Sequence, residues 1–343
     1  MRCLFRSFFP ILYQGFGKRD RYFEGWYFKH STGASSCGCK GARSIAFIPG
    51  ISRSAAGDHS FVQMIDGATG MTRYFRYAPE DFSTQDSPFQ VRLGKNLFSL
   101  SGISLDLEDE AGKVKAKLEY GKLAPPKRSL FRPGVMGPYS FVPFMECYHG
   151  LASMDHGVKG SIRLDHADGT GETVEYVEGR GYIEKDWGRS MPESWVWIQS
   201  NTFDPCIGPT SFFFSLARIP WRGGSFNGFI SILYTGGVEY RFATYTGARL
   251  ELLEHHGRTI RLLAVDKNYK LEVMVRRSRE GSLAAPVDGV MDRRISECAD
   301  AVVRVVLKSR HGNSDVPVFD SSSSASGVEL VGDPDSLKPN LRP

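Results

Sequence analysis

Apolar and polar residues alternate along most of the chain. "FSLSGISLDLED" (98–109), "KVKAKLEYG" (113–121), "VEYRFATYTG" (238–247), "KLEVMVRRS" (270–278) and "AVVRVVLKS" (301–309) all show it. A period of two places one set of side chains on a buried face and the other toward solvent, which is the signature of a half-buried strand. Turn-forming pairs such as Asp168-Gly169, Gly236-Gly237 and Lys267-Asn268 separate these runs. No long segment carries a 3.6-residue period. The pattern predicts a mostly β protein of short antiparallel strands.

The pattern also repeats. "GWYFKH" leads to "RSIAFIPG", and "VWIQSN" leads to "FSLARIPW", so that Trp197 stands to Ser215 and Pro220 as Trp26 stands to Ser44 and Pro49. "KLAPP" echoes "SLAAP", "PGVM" echoes "DGVM", and Glu146-Cys147 echoes Glu297-Cys298, in the same order. Two β domains on one plan are expected, over residues 18–178 and 179–310, after an N-terminal segment 1–17. Each has enough strands for an antiparallel barrel or sandwich. The tail 311–343 holds a serine run and almost no aromatics, and is expected to be disordered.

Composition narrows the function classes. The 343 residues carry a formal charge of +5 with scattered basic residues, which gives no footprint for nucleic acid. No stretch is long and apolar enough to span a membrane. The N-terminal apolar residues Phe8, Phe9, Ile11 and Leu12 are expected to pack on the body of the protein, with peripheral membrane contact as the second reading. Six cysteines at 3, 37, 39, 147, 206 and 298 lack zinc spacings and are read as reduced thiols of a cytoplasmic protein. His255-His256 on a strand would point to opposite faces. No metal and no cofactor are expected.

Two stretches concentrate candidate chemistry. "GYIEKDWGRSMPESWVWIQSN" (181–201) sets Trp187, Trp195 and Trp197 among Glu184, Lys185, Asp186 and Arg189, at the expected domain junction where apolar pockets form. "GPYSFVPFMECYHGLASMDHGVKGSI" (137–162) holds Glu146, Tyr148, His149, Asp155 and His156 among aromatics and methionines. Either the ionisable groups pair as a structural clasp, or they supply the proton donor and acceptor of an active site.

These stretches, with "RYFEGWYFK", "HSFVQMIDG" and "YRFATYTGA", resemble the tocopherol cyclase family in motif order from about Arg19 to Leu307. The resemblance implies two lipocalin-like β domains in tandem and, as in the plant enzymes, ring closure of a prenylated quinol to a chromanol. That reaction adds a phenolic hydroxyl across an alkene and is redox-neutral. Its demanding step is alkene protonation, which calls for a carboxylic acid kept protonated by apolar surroundings, aromatic faces for the cation, and a base for the phenolic proton.

On the residues' own chemistry, Asp186 is the first choice of donor, with Glu146 next if Lys185 or Arg189 pairs with Asp186. His149 is the base. Trp26, Tyr148, Asp155, Glu184, Trp187, Trp195 and Trp197 are the expected substrate-binding set. The alternative function is a non-catalytic carrier of a prenylated or fatty ligand in the same chamber. Either way the partner is a hydrophobic small molecule.

Overall fold

The computed structural model describes residues 6, 8–33, 42–204, 207–221, 224–311 and 316–339. The alternating runs form strands. The first set is β1 (Tyr22–Ser31), β2 (Ser44–Arg53), β3 (His59–Asp66), β4 (Thr72–Tyr77), β5 (Phe82–Asp86), β6 (Phe89–Leu93), β7 (Asn96–Ser99), β8 (Gly102–Asp109), β9 (Gly112–Tyr120), β10 (Cys147–His166) and β11 (Gly171–Gly188). They make one sheet in the order β4-β3-β2-β1-β11-β10-β9-β8-β7-β6-β5. The second set is β12 (Trp195–Ser200), β13 (Ser211–Trp221), β14 (Gly224–Thr235), β15 (Val238–Ala243), β16 (Arg249–His256), β17 (Thr259–Val265), β18 (Tyr269–Arg276), β19 (Gly281–Val287), β20 (Val290–Ser309) and β21 (Phe319–Val331). Its order is β15-β14-β13-β12-β21-β20-β18-β17-β16, with β19 beside β20.

Each sheet curls into a lipocalin-like barrel around one alternate set of its residues. Trp26, Phe28, Phe47, Phe98 and Ile162 fill the first barrel; Ile198, Phe212, Phe214, Val303 and Val328 fill the second. Burying each such side chain contributes about 1.5–3 kcal/mol. The other alternate set builds a third core where the barrels meet, around Tyr27, Met136, Leu151, Tyr182, Trp195, Trp197, Phe213 and Ile295. Strands buried on both faces explain why "GWYF" (25–28) and "WVWI" (195–198) show no alternation. Polar stitches cross the same interface. Lys29 Nζ donates to Gln199 Oε1 (2.9 Å) and to the Ala325 carbonyl, and Gln63 exchanges two hydrogen bonds with the Ala284 backbone (2.8 and 3.0 Å).

Both sheets follow one topology. β1–β4 and β12–β15 run in the same order from the middle of each sheet, and β11 and β21 close each first hairpin against β10 and β20. Three sequence expectations need correction. The first sheet runs on to Gly188, past the expected division at 178/179. The serine run of the tail is ordered: Phe319–Val331 form β21, which lies between β12 and β20. Two of its serines are buried as bonded groups, Ser326 with Ser200 (2.7 Å) and Ser323 with Thr202 (2.9 Å). Small hydroxyl side chains fit a packed strand once each finds a partner, a condition that composition does not reveal. Finally, Trp26 and Trp197 are not structural equivalents. The β1–β2 register runs through Gly25–Gly50 and Phe28–Phe47, level with Trp26 and Pro49, whereas β12–β13 sets Trp197 opposite Ser215. An odd displacement turns every side chain to the other face.

Candidate functional site

The chamber lies between the barrels, lined by Tyr27, Met136, Tyr139, Met145, Trp195, Trp197 and Ile295 among others. Strand alternation decides which polar groups reach it. In β11, Glu184 and Asp186 face the chamber, while Lys185 and Trp187 point into the first barrel. Lys185 therefore pairs with neither neighbour. It forms a fully buried ion pair with Glu24 and donates to the carbonyls of Pro10 (2.9 Å) and Leu12 (2.5 Å). Burial lowers the Lys185 ammonium to about 8 despite Glu24. Ile11 and Leu12 are packed over this pair, with the Ile11 carbonyl accepting the Trp26 indole N–H at 2.7 Å. Arg189 turns outward to Asp288. The mixture of tryptophan and charge at 181–201 is thus the edge-on view of two opposed faces.

The β10–β11 register sets His149 opposite Asp186. Nδ1–H of His149 donates to Asp186 Oδ1 at 2.8 Å, and Nε2 stands 3.5 Å from Glu184 Oε2. The imidazole stacks on Phe213 at 5.3 Å, with the two planes 11° apart. Burial alone would lower its pKa, but Asp186 and then Glu184 outweigh it and push it up to about 9. Glu184 accepts from Tyr182 OH (2.5 Å) and Trp197 Nε1 (3.0 Å); burial raises its carboxyl to about 7, with His149 opposing. Gly25 lies across from Asp186 in β1, and the Cys147 thiol stands 3.9 Å from Asp186 Oδ1. Gly188 is required by contact: a Cβ there would come within 2.1 Å of the Glu146 carbonyl, which accepts from the Arg189 (2.7 Å) and Ser190 (3.2 Å) amides.

The second barrel supplies residues that the sequence reasoning passed over. Glu297 and Glu329 face each other in the β20–β21 register. Tyr27 OH donates to Glu297 Oε1 (2.5 Å) and Trp195 Nε1 to Glu329 Oε2 (2.5 Å). Oε2 of Glu297, on a fully buried residue, has no hydrogen-bond partner among the described residues. Burial, and then the neighbouring Glu329, raise Glu297 to about 8; burial raises Glu329 to about 8 as well. The echo of Glu146-Cys147 in Glu297-Cys298 is the sequence signal that points to this position.

Of the expected residues, His149, Asp186, Glu184, Trp195, Trp197 and Glu146 line the chamber. Four do not. Trp26 is in the first barrel's core. Trp187 stacks on Tyr148 at 5.5 Å, and Tyr148 OH donates to the Val142 carbonyl, so that pair packs behind β10 and β11. Asp155 is buried in an ion pair with Arg180 and accepts from Asn201 (3.3 Å). His149, Glu184 and Asp186 each offer one ligand atom within 4.8 Å of the others. The site expected to be metal-free therefore has donors suited to a divalent ion, at the cost of the His149–Asp186 hydrogen bond. Cys147 and Cys298 are free thiols; Cys3, Cys37, Cys39 and Cys206 lie outside the described residues.

No helix among the described residues is long and apolar enough to cross a membrane. The fold is similar to that of CghA, whose structure was solved with Sch210972: TM-score 0.55, 12% identity, covering 91% of this chain and 89% of that one. An AttH-type protein of Nitrosomonas europaea gives a TM-score of 0.50 at 12% identity, covering 92% of this chain and 95% of the other. By sequence, the rice (Oryza sativa subsp. japonica) protein named "Probable tocopherol cyclase, chloroplastic" is 25% identical over 183 residues, 51% of this chain. The match spans 38% of the rice protein's length. The family model described as tocopherol cyclase-like matches residues 134–332, more than half of the chain, and includes both carboxyl pairs of the chamber. The chain belongs to the tocopherol cyclase-like family.

Proposed function

We propose that this protein is an enzyme of the cyclase or isomerase type that closes a ring in a prenylated quinol or a related isoprenoid, without a cofactor, by proton transfer in the chamber between the barrels. The observation that carries this reading is the pairing of a buried carboxyl with an unbonded oxygen, Glu297, with a second carboxyl, Glu184, beside an imidazolium. Near neutral pH Glu297, raised to about 8, mostly holds its proton, and Glu184, raised to about 7, is ionised in about half of the molecules and able there to accept one. In this reading Glu297 gives its proton to the alkene. The tertiary carbon then bonds to the phenolic oxygen, and the phenolic proton passes to Glu184. Substrate and product have the same composition, and solvent returns the proton.

The aromatic faces of Tyr27, Trp195 and Trp197 stabilise the cation by about 1–2 kcal/mol each when dry. The His149 imidazolium, held by Asp186, lies where negative charge grows on the phenolic oxygen. Asp186, the first choice of donor on sequence grounds, becomes the group that keeps His149 charged.

The test is incubation with a prenylated quinol, with and without a chelator, followed by mass analysis. A product of unchanged mass and one ring more, formed equally in both, supports the reading. A prenylated or fatty molecule recovered intact from the purified protein, with no turnover of any quinol offered, would make it a carrier.

A further inference from the structure

The segment between β9 and β10 ends in an exposed feature that the fold does not use. Ser129 and Arg132 exchange two backbone hydrogen bonds (2.9 and 3.0 Å), closing a hairpin whose two tip residues are Leu130 and Phe131. These are 78% and 82% exposed. Neither tip residue has a positive φ, so the turn itself makes no demand that leucine or phenylalanine in particular answers. Leucine and phenylalanine at the tip supply neither turn chemistry nor core packing. Farther along, Phe144 is 96% exposed and holds a left-handed backbone (φ 64°) that bulky residues avoid, while Phe141 is 40% exposed and packs on Phe8 at 5.9 Å.

The charge carried by this segment has one sign. Between Gly121 and Met145 the chain carries Lys122, Lys127, Arg128 and Arg132, all exposed, and no acid. The hairpin is firmly mounted. The Lys127 amide donates to Glu239 (2.7 Å), Arg241 donates to the Lys127 carbonyl (3.0 Å), and Arg128 donates to the Phe8 carbonyl (2.9 Å). The same segment then enters the chamber: Met136, Tyr139 and Met145 line it, and Met145 follows directly on the exposed Phe144.

We propose that this face, with Leu130, Phe131 and Phe144 as its apolar points and Lys122, Lys127, Arg128 and Arg132 around them, docks the protein on an anionic lipid bilayer and sets the chamber beside the membrane. Apolar side chains enter the interfacial layer and the cations meet lipid phosphates, each cation strengthening partition roughly fivefold. The chamber's use of the bilayer as its source of an apolar substrate rests on the proposed function. The docking itself does not.

The experiment is co-sedimentation of the full chain with phosphatidylcholine vesicles, with and without phosphatidylglycerol, none containing a quinol, so that its outcome is independent of turnover. The wild type is expected to sediment with the anionic vesicles and to be released by salt. The double variant Leu130→Ser/Phe131→Ser should lose roughly tenfold or more in binding to anionic vesicles while keeping the wild-type melting temperature. Lys127→Gln/Arg132→Gln should lose the preference for anionic over neutral vesicles. Background-level sedimentation of the wild type, or undiminished binding of the folded Leu130→Ser/Phe131→Ser protein, overturns the proposal. So does a wild-type dimer that ignores vesicles and that this double variant splits, which would make the hairpin a protein contact.

Discussion

The two strand pairs that face each other across the chamber have the same position in their sheets and opposite chemistry. β10–β11 sets a histidine against an aspartate, His149 and Asp186; β20–β21 sets a glutamate against a glutamate, Glu297 and Glu329. Unlike charges directly across a strand pair stabilise one another, and like charges do not. The first pair therefore favours the imidazolium: burial opposes the His149 charge, but Asp186 and then Glu184 raise it to about 9. The second pair keeps protons: burial raises each carboxyl to about 8, with Glu329 adding to the rise of Glu297. One duplicated scaffold thus holds a charge on one wall and a proton on the other, and the difference lies in which residues were placed on one face of two equivalent ladders.

The comparison makes β21 the counterpart of β11, and the largest expected effect follows from removing it. Chain termination after Ser309 would leave β12 and β20 without the strand between them, uncover Val196, Ile198 and Val303, and remove Glu329. Loss of the second barrel's cooperative unfolding transition in calorimetry is expected, with ANS binding to the exposed apolar surface. A truncated chain melting like the full one would mean that β21 is an ornament and that the likeness of the two ladders is superficial.

That strand also marks where the sequence stopped being legible. Alternation gave the β class because period two is a local signal, and the internal repeat gave the number of barrels. The serine run of β21 was read by composition, although a second copy on the plan of the first needed a strand to play the part of β11. The faces of the tryptophans escaped for a different reason. Trp26 and Trp197 share a spacing, but face is set by the pairing register, which a single chain does not display. The candidate site was legible on the first barrel's wall, where His149, Glu184 and Asp186 fall in two stretches dense in ionisable groups. Glu297 and Glu329 were not, because each stands alone in an ordinary strand and becomes a pair only through the β20–β21 ladder.

Glu297→Gln tests the wall that stores the proton. It preserves the shape and the hydrogen bond from Tyr27 while removing the acid, so under the proposed mechanism turnover falls by about 10²–10⁴-fold. Before that loss, the wild-type rate should trace a bell whose limbs fall near 7, where Glu184 ionises, and near 8, where Glu297 does. Stability gives a second readout. Glu297 has a folded pKa above its unfolded value, so the folded state binds the extra proton between about 4.5 and about 8, and its contribution declines as pH rises through that window. Glu297→Gln should flatten this slope in denaturant melts from pH 5 to 8. A steep slope left unchanged would show that Glu297 is not the group that holds this proton.

Asp186→Asn tests the wall that stores charge, with a smaller effect. Removing the carboxylate takes away the main support of the His149 imidazolium, so its pKa should fall from about 9 toward the ordinary histidine range. The ring titration followed by NMR reports this directly. Turnover should fall roughly tenfold, less than for Glu297→Gln, because Asp186 acts through His149 instead of giving a proton. If the titration of His149 stays near 9 in this variant, Glu184 alone holds the charge and the ladder pair is not the reason for it.

The smallest effect belongs to a residue whose chemistry resembles the site's and whose position does not. Asp155 lies in the same strand as His149, also buried and also paired, but its partners are Arg180 and Asn201 and it does not line the chamber. Its carboxylate accepts from Arg180 Nε at 2.9 Å and binds Nη2 through the other oxygen, on a guanidinium that is 32% exposed. Asp155→Asn removes the charge and keeps an acceptor and the side-chain volume. Water at the guanidinium screens part of the loss, so a destabilisation of about 1–2 kcal/mol is expected in urea unfolding. Turnover on the folded protein should be unchanged, and so should the pH limbs near 7 and 8. A loss of turnover comparable with that of Asp186→Asn would mean that the strand works as one unit along its length, and that facing the chamber is not what separates a working carboxylate from a clasp.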